Sequence, residues 1–161
     1  MPKRPSVPPP GERQATVLEV VARYLTVREA PPGSNRSPDI DRWLHALGSP
    51  PGSAWCAAFV LGCLKESGDT RKVVRSGRVQ TMVDGGTLLP ATQSVPGDLV
   101  VFWFTKLGRY AHIALVERVE GNVLVTIEGN TIADGATGDS REGWGVFRKR
   151  RTISDRIRVL R

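Results

Sequence analysis

At 161 residues the chain has the length of a single domain, enough to bury a core without help from disulfides or metal. Hydrophobic residues at 40% and charged residues at 24% are those of an ordinary globular protein, and two cysteines exclude a disulfide framework. The net charge of +7 is uneven: residues 148–161 hold seven basic side chains against Asp155 alone. A basic surface attracts nucleic acid and bacterial envelope polymers alike, so charge by itself selects no function.

Residues 1–12 carry five prolines and no apolar period, which predicts a disordered or extended basic tail preceding one domain over residues 13–161. The tail lacks a signal-peptide apolar run, and no stretch reaches the length of a membrane span. The expectation is a chain made in the cytoplasm without a signal peptide.

Apolar spacing at Val17, Val20, Val21, Tyr24 and Leu25, running on to Arg28, predicts a first helix, ended by the Pro31-Pro32-Gly33 turn. Ser37-Pro38-Asp39 reads as an N-cap, a first-turn proline and a first-turn acid. The second helix then carries Ile40, Trp43, Leu44 and Leu47 as far as Gly48. A third helix, with Ser53 as its expected N-cap, is apolar or small from Ala54 to Leu64 and should be buried on most sides. A less regular connection over residues 68–97 has room for a short helix near residues 77–83.

After Pro96-Gly97-Asp98 the period changes. Strands are expected at residues 99–104, 113–119, 123–127, 145–150 and 156–160, with a hairpin turn at Glu120-Gly121-Asn122. Helices followed by an antiparallel sheet of about five strands make an α+β fold.

Cys56 falls in the first turn of the buried third helix. Unpaired backbone N–H groups and the positive end of the helix dipole stabilise a thiolate there. Cys63, two turns on and roughly 10 Å away by helical rise, is too far for a disulfide and reads as core. Of two histidines, His45 lies within the second helix, whereas His112 stands at the start of a strand where it can face a cleft. A thiolate–imidazole pair needs a third group to fix the ring. Hairpin geometry about Gly121 returns Glu128 and Asn130 beside His112, sharing its face if no bulge intervenes.

Four segments in order resemble the CHAP family of cysteine, histidine-dependent amidohydrolases/peptidases. They are Ser53-Ala54-Trp55-Cys56-Ala57-Ala58-Phe59-Val60, Pro96-Gly97-Asp98-Leu99-Val100-Val101-Phe102, Ala111-His112-Ile113-Ala114-Leu115-Val116 and Ile127-Glu128-Gly129-Asn130-Thr131. The stretch from Tyr24 to Asn35 resembles the lead-in of phage and bacterial relatives, so the likeness covers about residues 13 to 151. It implies a papain-like core and cleavage of peptidoglycan, either as an N-acetylmuramoyl-L-alanine amidase or as a peptide endopeptidase. Cys56 would be nucleophile and His112 general base, then acid. Glu128 would orient His112, with Asn130 assisting, and the Cys56 backbone N–H would be an oxyanion donor.

Some phage relatives bind calcium through acids just before the nucleophile. Residues 48–55 contain none, and Asp39, Asp41 and His45 sit on a predicted helix, so neither metal nor other cofactor is expected. Peptidoglycan is the expected partner of a monomer, with the basic C-terminal segment drawing anionic envelope polymers. Action at the cell wall would need delivery by a holin, a phage particle or a secretion system. A zinc site from His45, Cys56, Cys63 and His112 matches no standard spacing. The rival readings are a basic nucleic-acid- or envelope-binding module, though no motif for reading specific nucleic acid is present, and a silent component of a phage or secretion particle.

Overall fold

The computed structural model describes residues 15–136 and 143–161. The expected tail at 1–12 lies outside the described residues. Four helices, α1 (Val17–Ala22), α2 (Pro38–Leu47), α3 (Cys56–Ser67) and α4 (Val79–Asp84), precede strands β1 (Leu88–Pro90), β2 (Leu99–Phe104), β3 (Arg109–Glu120), β4 (Val123–Thr131), β5 (Gly145–Thr152) and β6 (Ile157–Leu160). The strands form one antiparallel sheet in the order β1-β6-β2-β3-β4-β5. The fold is α+β. The sixth strand, β1, comes from the connection expected to be irregular, where Leu88 and Leu89 pair with Leu160 and Val159.

Local chemistry sets the helix starts. Thr16 and Glu19 form a reciprocal capping box on α1. The Ser37 hydroxyl accepts from the Ile40 N–H at 3.2 Å ahead of Pro38. Two expectations shift. The first helix stops at Ala22 instead of reaching Arg28, because residues 27–29 are drawn into backbone pairing with the sheet edge. There Val146 N–H donates to Val27 O and Glu29 N–H to Trp144 O. The third helix is not capped by Ser53, whose hydroxyl turns back to Pro50 O at 2.6 Å; Trp55 is the N-cap and Cys56 the first helical residue.

α3 is the central element. Trp55, Phe59, Val60 and Cys63 have no exposed surface, and the helix packs on α1, α2, β3 and β4. Two glycines allow the close approaches. A Cβ at Gly62 would lie 2.5 Å from Trp43 of α2, and one at Gly129 of β4 would lie 2.8 Å from Phe59. The helices and one sheet face enclose the main core, while Val100, Phe102, Ala114, Val116, Leu124, Ile157 and Val159 gather in a second cluster. Among the described residues no helix is long and apolar enough to cross a membrane.

Replacing Gly129 by alanine should push Phe59, and with it α3, away from β4. Urea unfolding should register a loss of about 1–3 kcal/mol, as overpacking of a filled core costs.

Candidate active site

Cys56 enters from the helical layer and His112 from the sheet. Cys56, 5% exposed, opens α3, where no side chain caps the helix. His112 is wholly buried. It is the fourth residue of β3 rather than its first, because β3 begins at Arg109. Pairing of β2 with β3 passes from Phe102↔His112 to Trp103↔Tyr110, leaving Ala111 unpaired just before the histidine. Such a bulge re-aims the neighbouring side chain.

Glu128 holds the ring: its Oε1 lies 2.8 Å from His112 Nε2. That leaves Nδ1, buried and without a hydrogen-bond partner, as the ring atom available to Cys56. Cys56 acts on the ring's proton affinity, so the two groups are neighbours. Burial is the largest single influence on His112 and lowers its pKa. Interactions with Cys56 and Glu128 together outweigh it and raise the value to about 9.

The carboxylate of Glu128 is itself fully buried. Arg151 of β5 grips it with both arms of the guanidinium, Nε to Oε2 at 2.8 Å and Nη2 to Oε1 at 2.6 Å. The Thr126 hydroxyl donates to Oε2 at 2.6 Å. Burial would raise the Glu128 pKa, but Arg151 and His112 hold it well below the usual carboxylate range. Arg151 also stacks over Phe102, 4.7 Å from the ring centroid, and Phe102 lies against His112.

Asn130 takes a different place from the one expected. Its φ is +54°, a left-handed conformation that asparagine tolerates. The pairing of β4 with β5 slips by one residue between Glu128 and Thr131. With the amide oriented so that both ends are satisfied, Nδ2 donates to Gly143 O at 2.9 Å and Oδ1 accepts from Trp55 N–H at 3.3 Å. A bulge does intervene, so Asn130 secures the residue before the nucleophile, and Glu128 alone of the two binds the imidazole. Trp55 is braced again by its indole N–H, which donates to buried Glu29 at 3.0 Å.

Cys63 is buried in α3, where burial pushes its thiol pKa far up and leaves it inert. His45 lies in the last turn of α2, on a different helix from Cys56. Among the described residues no three His, Cys, Asp or Glu side chains gather as a metal site. A hollow of about 150 Å³ is lined by Ala54, Cys56, Gly77, Arg78, Val79, Arg109 and Ala111. A roomier one of about 420 Å³, beneath Tyr24 and Arg42, contains neither Cys56 nor His112.

The CHAP domain profile matches residues 48–130, more than half of the chain. The chain belongs to the CHAP family. No curated protein matches it. Among solved structures it is similar to RipD from Mycobacterium tuberculosis, described as a non-catalytic NlpC/p60 domain protein with an adaptation to peptidoglycan-binding function. The identity is 13% over 91% of this chain and 98% of that one, with a TM-score of 0.44. The CHAP match spans Cys56, His112, Glu128 and Asn130 and stops short of Arg151.

Arg151 is the site residue that sequence reasoning missed, having been counted with the basic C-terminal segment. The available signal was period two along β5. Lys149 and Arg151 turn inward while Arg148 and Arg150 face solvent, paired with Glu117 and Glu120. Arg161 likewise pairs with Asp98 at 2.9 Å. Much of the segment's charge is therefore spent within the fold, cross-strand acids having met the arginines that sequence alone showed as a surplus.

Arg151→Met should strand a buried carboxylate and cost about 3–5 kcal/mol in urea unfolding at pH 7. Because the His112 pKa is raised from 6.5 to about 9, its stabilising contribution is complete below about pH 6.5 and lost as pH rises through about 9. NMR titration of the ring should show that value in the wild type and a fall towards 6.5 in the Glu128→Gln, Arg151→Met double variant.

Proposed function

We propose that residues 13–161 form a catalytic domain that hydrolyses an amide bond of peptidoglycan, as an N-acetylmuramoyl-L-alanine amidase or a peptide endopeptidase. The observation that carries the reading is the buried line of contacts in which Arg151 fixes Glu128, Glu128 fixes His112 Nε2, and Nδ1 is left for Cys56.

In this mechanism the Cys56 thiolate forms a bond to the carbonyl carbon of the scissile amide. The electron pair of the C=O bond moves to oxygen, and the backbone N–H of Cys56, at the uncapped start of α3, faces that developing charge. His112, protonated at Nδ1, gives its proton to the leaving amine as the C–N bond breaks, and a thioester remains on Cys56. Water then attacks the thioester carbon while Nδ1 takes back a proton. The C–S bond breaks, releasing the acid and restoring the thiolate. Glu128 stays ionised throughout, holding the imidazole in one orientation and stabilising its charged form. Asn130 acts earlier in the chain of cause, fixing Trp55 and thereby the position of the sulfur.

The setting follows from the substrate: a protein made in the cytoplasm and brought to the cell wall by a holin, a phage particle or a secretion system, acting as a lysin or an effector. The exposed cations outside the internal pairs would add weak attraction to anionic envelope polymers. Binding to intact walls should then decline as salt rises from 0.05 M to 0.5 M, because screening shortens the reach of surface charge.

Purified peptidoglycan should release soluble fragments with the wild-type protein and none above background with Cys56→Ala or His112→Ala. Mass spectrometry of the fragments distinguishes a new lactyl-linked carboxylate from a new peptide amine. Equal release by Cys56→Ala would remove the hydrolase reading. The rate should also fall on the alkaline side near pH 9, where His112 loses the proton it must donate.

A further inference from the structure

We propose that the end of the β2–β3 hairpin, residues 103–110, is a peripheral docking element for an anionic lipid bilayer. Leu107 and Trp103 would enter the boundary between headgroups and acyl chains, with Lys106 and Arg156 on the headgroups. The inference is independent of the hydrolase reading.

The hairpin presents these side chains from a fixed base. Its last cross-strand pairs are Trp103↔Tyr110 and Phe104↔Arg109, closed by Thr105-Lys106-Leu107-Gly108. Gly108, at φ +61°, completes the turn. Within it Leu107 N–H donates to Phe104 O at 3.0 Å and Gly108 N–H to Thr105 O at 3.2 Å. The Trp103 and Tyr110 rings meet edge to face, centroids 5.2 Å apart. Tyr110 packs in turn on the main core and Phe104 on the second cluster. Trp103 N–H donates to Arg156 O at 2.8 Å, which ties the β5–β6 turn to the hairpin.

Leu107 is 43% exposed and Trp103 37%. The other large apolar side chains of comparable exposure, Val74, Val95, Val119 and Trp144, are dispersed along the chain, which is ordinary for a surface. Here two share one hairpin end, and cations flank them. Lys106 and Arg156 are exposed and Arg109 is half-buried. Among the described residues none of the three meets an acid. The hairpin end and the turn at residues 153–157 together hold these three cations against Asp155 alone.

The combination fits a bilayer better than a polar polymer. A leucine at the apex gains nothing from sugar hydroxyls or phosphodiesters, but it gains by leaving water for the acyl boundary. Tryptophan suits the headgroup level, with an apolar body and one polar N–H. Two N–H groups of the turn are satisfied internally, so the turn meets a water-poor layer without stranding them. Flanking lysine and arginine side chains reach back to anionic headgroups. One leucine and one tryptophan make a reversible contact rather than an anchor.

The test uses the full-length protein in 0.15 M salt, with vesicles of phosphatidylcholine alone or with about one third phosphatidylglycerol. Cosedimentation should show binding to the anionic vesicles and little to the neutral ones. Leu107→Ser should weaken that binding about tenfold, and Lys106→Gln with Arg156→Gln by a similar factor, the unfolding midpoint staying unchanged. With Trp144→Phe in place, Trp103 is the exposed tryptophan that remains, because Trp43 and Trp55 are buried. Brominated acyl chains should quench its emission. No binding, binding without quenching, or binding that Leu107→Ser leaves intact overturns the proposal. Either of the last two would assign the attraction to surface charge alone. Lipid-free glycan strands that shift Trp103 emission where vesicles do not would overturn it in favour of a sugar platform. None of these readouts involves turnover, so they stand apart from the outcome of the peptidoglycan assay.

Discussion

A carboxylate sealed from water must be matched in charge and hydrogen bonding where it stands, or it will take up a proton. Glu128 has no exposed surface, and its two oxygens are shared among Arg151, Thr126 and His112. That arrangement keeps it anionic, and an anion against Nε2 does two things to the imidazole: it fixes the ring and favours its protonated form. The state of His112, and through it whatever Cys56 does, is thus set two residues away by an arginine on another strand.

The helical layer meets this buried charge at one point. α3 brings Cys56 to the sheet by its first residue, and the backbone just ahead of it is fastened from two sides, by Asn130 to the Trp55 N–H and by Glu29 to the Trp55 indole. Gly129, between Glu128 and Asn130, lets Phe59 lie directly on β4. Three consecutive residues of one strand therefore hold the imidazole, admit the helix and anchor its start. Irregularities concentrate here too: an unpaired Ala111 before His112, and a slipped register with a left-handed asparagine after Glu128. A regular ladder would place alternate side chains on one face; these bulges send Glu128 and Asn130 to separate tasks.

The charge distribution has the same logic. Acids on β3 and the turn before β2 meet the arginines of β5 and the C-terminus. Pairs at the surface contribute little to stability, but they consume cations, and the residues they leave uncommitted stand out. Among the described residues Arg75, Arg78, Arg109 and Arg156 are left without an acid, and of these Arg78 and Arg109 line the hollow that Cys56 also lines.

Much of this was written in the order of residues. Apolar period fixed the helices at Ile40-Trp43-Leu44 and around Phe59, and β-branched runs with Gly121 fixed the β3–β4 hairpin, because such patterns depend only on which side of an element is buried. The hairpin's symmetry also pointed to Glu128 and Asn130 as neighbours of His112, while the start of the buried helix marked Cys56. Tertiary structure alone decided how the set is wired. Whether Ser53 or Trp55 begins α3, where α1 yields to edge pairing, and that Asn130 turns from the histidine to the helix all depend on competition between partners distant in sequence. Arg151 is the plainest case. On the chain it is one of seven basic residues in a tail-end segment, and only the pairing of β4 with β5 gives it a buried carboxylate to neutralise.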